Sequence, residues 1–154
     1  MELTSKAFTD GGDLDARFAK QGVPGGENVI PDLAWSGAPE GTKSYALSVY
    51  DPDAPTGSGW WPMLAWDIPA DVTEIAEGAD LPEGAKTIAN DYGEDWYGGP
   101  NPPAGPAHRY IHTVYALPVE KLDVDGLPSA PVRFNILAQA LDQASITGMF
   151  AQPE

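Results

Sequence analysis

Lys43-Ser44-Tyr45-Ala46-Leu47-Ser48-Val49-Tyr50, running into Asp51-Pro52-Asp53-Ala54-Pro55, is the stretch on which the reading of this chain turns. Alternation sends Tyr45, Leu47 and Val49 one way and Ala46, Ser48 and Tyr50 the other, so residues 43–50 read as a strand that ends at the Asp51-Pro52 step. Working outward, residues 63–68 form a second strand, which Pro69 stops by removing a ladder donor. A shorter strand covers residues 86–89. The longest, residues 109–117, is dominated by β-branched and aromatic side chains, is closed by Pro118 and reads as a central strand. Ser129 as N-cap and Pro131 in the first turn predict a helix over residues 129–144, with Phe134, Leu137, Leu141 and Ala144 as its apolar face. Residues 146–150 then return as an edge strand. The 17 glycines and 16 prolines punctuate these runs instead of gathering in a linker. Strands that do not alternate regularly with helices point to a mainly β fold, an antiparallel core with one late helix.

Length and charge narrow the classes of function. A chain of 154 residues suits a single domain, residues 1–154, with one substantial core. Twenty-three acidic against eight basic side chains leave a formal charge of −15, which repels phosphate backbones and anionic lipid, so nucleic acid and acidic membranes are poor partners. The first ten residues contain no apolar run of signal-peptide type, and no window of about 20 apolar residues marks a membrane span. A cytoplasmic setting is the simplest expectation. The chain has no cysteine, hence neither disulfides nor thiolate metal sites.

Chemistry concentrates in two runs. The first is Asp51-Pro52-Asp53; the second is His108-Arg109-Tyr110, closing the loop Gly98-Gly99-Pro100-Asn101-Pro102-Pro103-Ala104-Gly105. Together they form two halves of one small anion pocket. An aspartyl phosphatase would also carry two carboxylates two residues apart, but the parallel α/β alternation it needs is missing, and no glutamate completes a calcium loop. His108 and His112 would share a metal on a helix. On a strand they lie about 13 Å apart, which makes His112 a packed histidine and leaves His108 beside the loop, on the same face as Tyr110. Ser58, His108 and Asp51 can be written as a nucleophilic triad, although Ser58 sits in the turn Thr56-Gly57-Ser58-Gly59 and not on a strained elbow.

The order and spacing of these runs resemble the phosphatidylethanolamine-binding protein family, most closely its bacterial Raf-kinase-inhibitor-like branch. The likeness begins at Asn28-Val29-Ile30-Pro31-Asp32-Leu33-Ala34-Trp35-Ser36-Gly37 and continues through Tyr50-Asp51-Pro52-Asp53-Ala54-Pro55 to Trp60-Trp61. It resumes at Asp67-Ile68-Pro69-Ala70, Asn90-Asp91-Tyr92-Gly93 and His108-Arg109-Tyr110-Ile111, then runs into Thr113-Val114-Tyr115-Ala116-Leu117. The resemblance implies an antiparallel Greek-key β-sandwich with a peripheral C-terminal helix and a small surface pocket that takes anions. Carried over by position, Asp51, His108 and Tyr110 are pocket residues. Ala54, Pro55 and Trp61 lie along one side, and Gly99, Asn101, Pro102 and Pro103 along the other. The family's second pocket histidine is replaced by Pro62, which has neither a side-chain donor nor a backbone N–H, so anion binding should be weaker than usual.

The expected function is therefore a non-enzymatic binding module for a small anionic or phosphorylated ligand, without a cofactor, that regulates a partner protein such as a kinase or protease. The resemblance also makes a homodimer plausible. Two alternatives stand beside it. One is an interaction protein with a vestigial pocket that works through surface tryptophans such as Trp60, Trp61 and Trp96. The other is a hydrolase using His108 as general base, with Ser58 or water as nucleophile.

Overall fold

Both long central strands are buried on both of their faces, so the chain has to cover each side, and it does so with two different layers. The computed structural model describes residues 1–153. In chain order it contains β1 (Glu2–Thr4), β2 (Leu33–Ser36), β3 (Ser44–Asp51), β4 (Trp60–Pro69), β5 (Glu74–Ile75), β6 (Lys86–Thr87), β7 (His108–Leu117), α1 (Ser129–Gln139) and β8 (Asp142–Phe150), with a single 3-10 turn at Ala16–Phe18. Every pairing between these strands is antiparallel. One sheet has the order β1-β2-β5 and the other β6-β4-β3-β7-β8. The fold is mainly β, as expected.

The two faces of β3 divide the interior. Tyr45, Leu47 and Val49 join Leu3, Leu33, Trp35 and Ile75 of the smaller sheet in one core, so the two sheets share a hydrophobic layer. Ala46, on the opposite face, joins Leu64, Trp66, Leu117, Val132 and Ile136 in a second core beneath α1. The alternation expected for residues 43–50 thus separates two layers, each held by apolar burial.

Register irregularities shape both ends of the β3–β4 pair. Val49 faces Met63 while Asp51 faces Trp60, so β4 uses one residue more than β3, and Trp61-Pro62 form a bulge. A proline is tolerated there because a bulge interrupts the hydrogen-bond ladder. A second bulge lies between Tyr45/Ile68 and Leu47/Ala65, and there Asp67 adopts a positive φ of 55°. β4 is consequently longer than residues 63–68, β6 is shorter than residues 86–89, and β7 begins one residue earlier than expected, at His108.

The helix needs correcting in both extent and orientation. It ends at Gln139, and Ala144 lies in β8. The residue before its first turn is Pro128, with no side-chain cap; Ser129 is already helical, and its hydroxyl accepts from Arg133 Nε at 3.2 Å. The buried face is Val132 and Ile136, whereas Phe134 is 73% exposed and Leu137 59%. Position i and i+4 of either set share a face, so spacing alone does not choose between them. Val132 and Ile136 are the pair packed in the second core, and the N–H of Leu141, just past the helix, donates to the Ala116 carbonyl, tying the helix exit to β7. Residues 146–150 do form part of a strand, β8, paired with β7 from Phe150 to Asp142.

Candidate functional site

The end of β3, the start of β4 and the start of β7 converge where Asp51 pairs with Trp60 across the sheet. There the loop over residues 52–59 and the loop over residues 98–105 rise on either side of a cleft of about 300 Å³. Asp51, Ala54, Pro55, Asn101, Pro102, Pro103, His108 and Tyr110 all line it. Residues separated by fifty or more positions are brought together because β3 and β7 are neighbours in the sheet.

The polar centre is an Asp–His pair. His108 Nδ1 lies 2.7 Å from Asp51 Oδ2, and the backbone N–H of Asp53 donates to Asp51 Oδ1 at 2.8 Å. The Asp51 side chain is only 4% exposed. Both of its oxygens are engaged by the protein itself, so the carboxylate fixes the imidazole and the Asp-Pro turn. With Nδ1–H donating to a carboxylate, Nε2 of a neutral ring is an acceptor; once protonated, the ring presents Nε2–H as a charge-assisted donor.

Tyr110 and Tyr92 supply the aromatic wall. Burial, reinforced by the Asp51 carboxylate, pushes the Tyr110 phenol far above its ordinary range. The same causes push Tyr92 up to about 12. Both therefore remain neutral hydroxyls. The Tyr92 hydroxyl donates to the Gly99 carbonyl at 2.7 Å, bracing the loop behind the cleft.

The two rims are tied from outside. Asp53 accepts from Arg109 Nη2 at 2.9 Å, from Nε at 3.1 Å and from the Arg109 backbone at 2.8 Å, which holds the first loop against β7. The Arg109 guanidinium lowers the Asp53 carboxyl to about 2. Gly59, at φ +75°, ends this loop where a Cβ would lie 2.5 Å from the Tyr50 ring and 2.7 Å from the Asp51 carbonyl. On the other rim, Gln152 Nε2 donates to Asn101 Oδ1 at 2.8 Å and to the Pro102 carbonyl at 2.7 Å.

Three residues assigned to the pocket from the sequence lie elsewhere. Trp61 is on the helix-facing side of the sheet, stacked on Tyr50 with ring centroids 4.1 Å apart. Pro62 is in the bulge, its carbonyl accepting from Gly98 N–H at 3.0 Å. Gly99 packs behind the loop, its N–H donating to Asn28 Oδ1 at 2.7 Å. Conversely, Thr56, Trp60 and Tyr92 line the cleft and are not among the residues the sequence assigns to it. The Asp51–Trp60 pairing accounts for Trp60, since cross-strand partners point to the same face. Tyr92 arrives by a loop whose path no periodicity reveals.

His112 is fully buried, and its Nδ1 donates to the Tyr110 carbonyl at 2.9 Å. Burial pulls its pKa down to about 4. It is a neutral packing residue beside the Phe8 ring. Ser58 lies in the exposed turn, outside the cleft lining, while Thr56 Oγ1 donates to the Gly59 carbonyl. Among the described residues no three His, Asp or Glu side chains are clustered to hold a metal ion, and no helix is long and apolar enough to cross a membrane.

Known proteins match this chain in sequence and fold over nearly its whole length. The family model described as phosphatidylethanolamine-binding protein matches residues 4–151. The UPF0098 protein YbhB of Escherichia coli K12 is 43% identical over 158 residues, spanning 98% of this chain and 100% of the relative. The crystal structure of E. coli YbcL, described as a new member of the mammalian PEBP family, superposes with a TM-score of 0.91 at 41% identity, covering 98% of each chain. Two sheets, a late helix and near end-to-end agreement with these proteins lead to one assignment: the chain belongs to the phosphatidylethanolamine-binding protein family.

Proposed function

We propose that the cleft binds a small anionic or phosphorylated ligand without chemically transforming it, and that occupancy regulates a partner protein such as a kinase or protease. The observation that carries this reading is the 2.7 Å Asp51–His108 pair at the base of a cleft with rigid proline-rich rims. Asp51 holds the ring from behind, so a protonated His108 offers Nε2–H to an oxyanion while Tyr110 adds a neutral hydroxyl. Apolar rims of Ala54, Pro55, Pro102 and Pro103 limit competing water and strengthen those bonds.

The same geometry argues against hydrolysis as the leading reading. Of the two nucleophiles considered, Ser58 is not among the residues lining the cleft, which leaves only the water-based version. The vestigial-pocket alternative draws its support from Pro62, which contributes only a carbonyl, already bonded to Gly98.

The test is an NMR titration of the intact protein with inorganic phosphate and with phosphoethanolamine. Saturable shifts at His108 and Tyr110 are expected with both ligands. A flat response to both would overturn the reading.

A further inference from the structure

On the opposite side of the five-stranded sheet, under α1, lies a smaller cavity of about 140 Å³ that the cleft does not involve. Its floor carries the Ser48 hydroxyl, on a residue only 3% exposed that makes no side-chain hydrogen bond among the described residues. With no side-chain partner among the described residues, this hydroxyl is available to a group that enters the cavity.

The rim carries a cation that is also unmatched. Of the eight basic side chains, Arg17, Lys20, Lys86 and Arg109 each have a carboxylate within 4 Å among the described residues. Of the other four, Lys6, Lys43 and Lys121 are exposed, and only Arg133 is half-buried. Its Nε donates to Ser129, its guanidinium lies 4.0 Å from the Trp61 ring centroid, and Trp61 is in turn stacked on Tyr50. Burial lowers the Arg133 pKa, opposed by the field of Asp91, Tyr50 and Tyr115. The planar fork is thus pre-oriented by one hydrogen bond and the Trp61 ring, and among the described residues Nη1 and Nη2 donate no hydrogen bond.

The surroundings define the ligand. No acidic residue occurs between Asp125 and Asp142, so the helix that carries Arg133 does not itself repel an anion, although the protein as a whole bears −15. Leu64, Ile136, Tyr115 and Trp61 make the remaining walls apolar and aromatic. A dry cavity of about 150 Å³ accepts one benzene ring.

We infer that this cavity is a second ligand site, selective for a small aromatic carboxylate, with Arg133 pairing the carboxylate and Ser48 bonding a polar ring substituent. The bidentate guanidinium–carboxylate pair supplies orientation, and the ring packs against Trp61 and Tyr115.

The experiment is an NMR titration of the intact protein with benzoate, 4-hydroxybenzoate and inorganic phosphate. Saturable shifts are expected at Ser48, Tyr115, Ile136 and Leu137 with both aromatic acids, 4-hydroxybenzoate binding more tightly and phosphate leaving these residues unmoved. Arg133→Gln should weaken both acids about ten- to a hundredfold. Ser48→Ala should remove the preference for 4-hydroxybenzoate. The proposal is overturned if neither acid shifts these residues, if the shifts centre on Asp51 and His108 instead, or if Arg133→Gln binds as the parent does. Because phosphate reports on the first cleft in the same samples, failure there and failure here are read separately.

Discussion

The two hollows lie on opposite faces of one sheet and differ in how far their polar groups are already satisfied. Adjacent residues serve both: Asp51 and Trp60 belong to the cleft, and their neighbours Tyr50 and Trp61 stack on the helix side. In the cleft, Asp51 holds His108, Tyr92 bonds Gly99 and Gln152 pins the far rim. Under the helix, among the described residues, Ser48 makes no side-chain hydrogen bond and Arg133 has no carboxylate within 4 Å. The first hollow is pre-organised around the Asp51–His108 pair; the second retains unused hydrogen-bonding capacity. A close internal network gives geometry at the cost of free donors, whereas a sparse one leaves its recognition groups available.

The largest effect should come from breaking the helix-side layer. Ile136→Ala removes a fully buried side chain from the second core and should destabilise the protein by about 2–5 kcal/mol in urea denaturation. If the two faces are independent, the His108 resonances of the folded variant stay where they are in the parent. Movement of both sets together would show the sheet transmitting strain.

The cleft-side layer has its own signature in pH. His112 is pulled from an ordinary 6.5 to about 4 by burial, so the unfolded chain binds the proton more readily. Its stabilising contribution is complete above pH 6.5 and is lost as pH falls towards 4, by on the order of 3 kcal/mol. His112→Leu should flatten that part of the stability–pH curve, measured by denaturation at stepped pH. A slope unchanged in the variant assigns the effect to other groups.

Next in size is His108→Ala, which should weaken phosphate binding about ten- to a hundredfold by calorimetry while leaving the benzoate response under α1 measurable. Asp51→Asn should act in the same direction, since it removes the charge that holds the imidazole.

Smaller again is Asp53→Asn. Its carboxyl is depressed to about 2 by Arg109, so the exposed pair stabilises above the ordinary value of 3.8 and fades as pH falls through about 2. The variant should lose little stability, as exposed ion pairs do, but broaden the resonances of Ala54 and Thr56 by freeing the rim. Smallest is Phe134→Ala. At 73% exposure it should change stability by less than about 0.5 kcal/mol, whereas the helix rotation expected from spacing alone demands a core-sized loss.

Much of the fold and of the first cleft was legible in the residues. Period-two alternation in residues 43–50 separates the two cores, because a strand has only two faces. Asp51, His108 and Tyr110 were identifiable as partners through the family resemblance, and the pairing of β3 with β7 is what brings them together. Trp61 and Pro62 are assigned to the pocket through the family resemblance; the structure puts Trp61 on the helix side and Pro62 in a one-residue bulge, and a bulge is a property of the paired strands, not of one segment. The helix failed for a related reason: Val132/Ile136 and Phe134/Leu137/Leu141 are both acceptable apolar stripes, and it is the first that packs in the second core.

The sequence by itself thus determined the strand content and the antiparallel class, because these depend on local periodicity and residue type, while Asp51 and His108 were named together through the family resemblance. Tertiary structure alone decided the register of β4, the rotation of α1, the recruitment of Trp60 and Tyr92 to the cleft and the meeting of Ser48 with Arg133. Each of these is a long-range choice between locally equivalent options, made by the packing of the two layers against a common sheet.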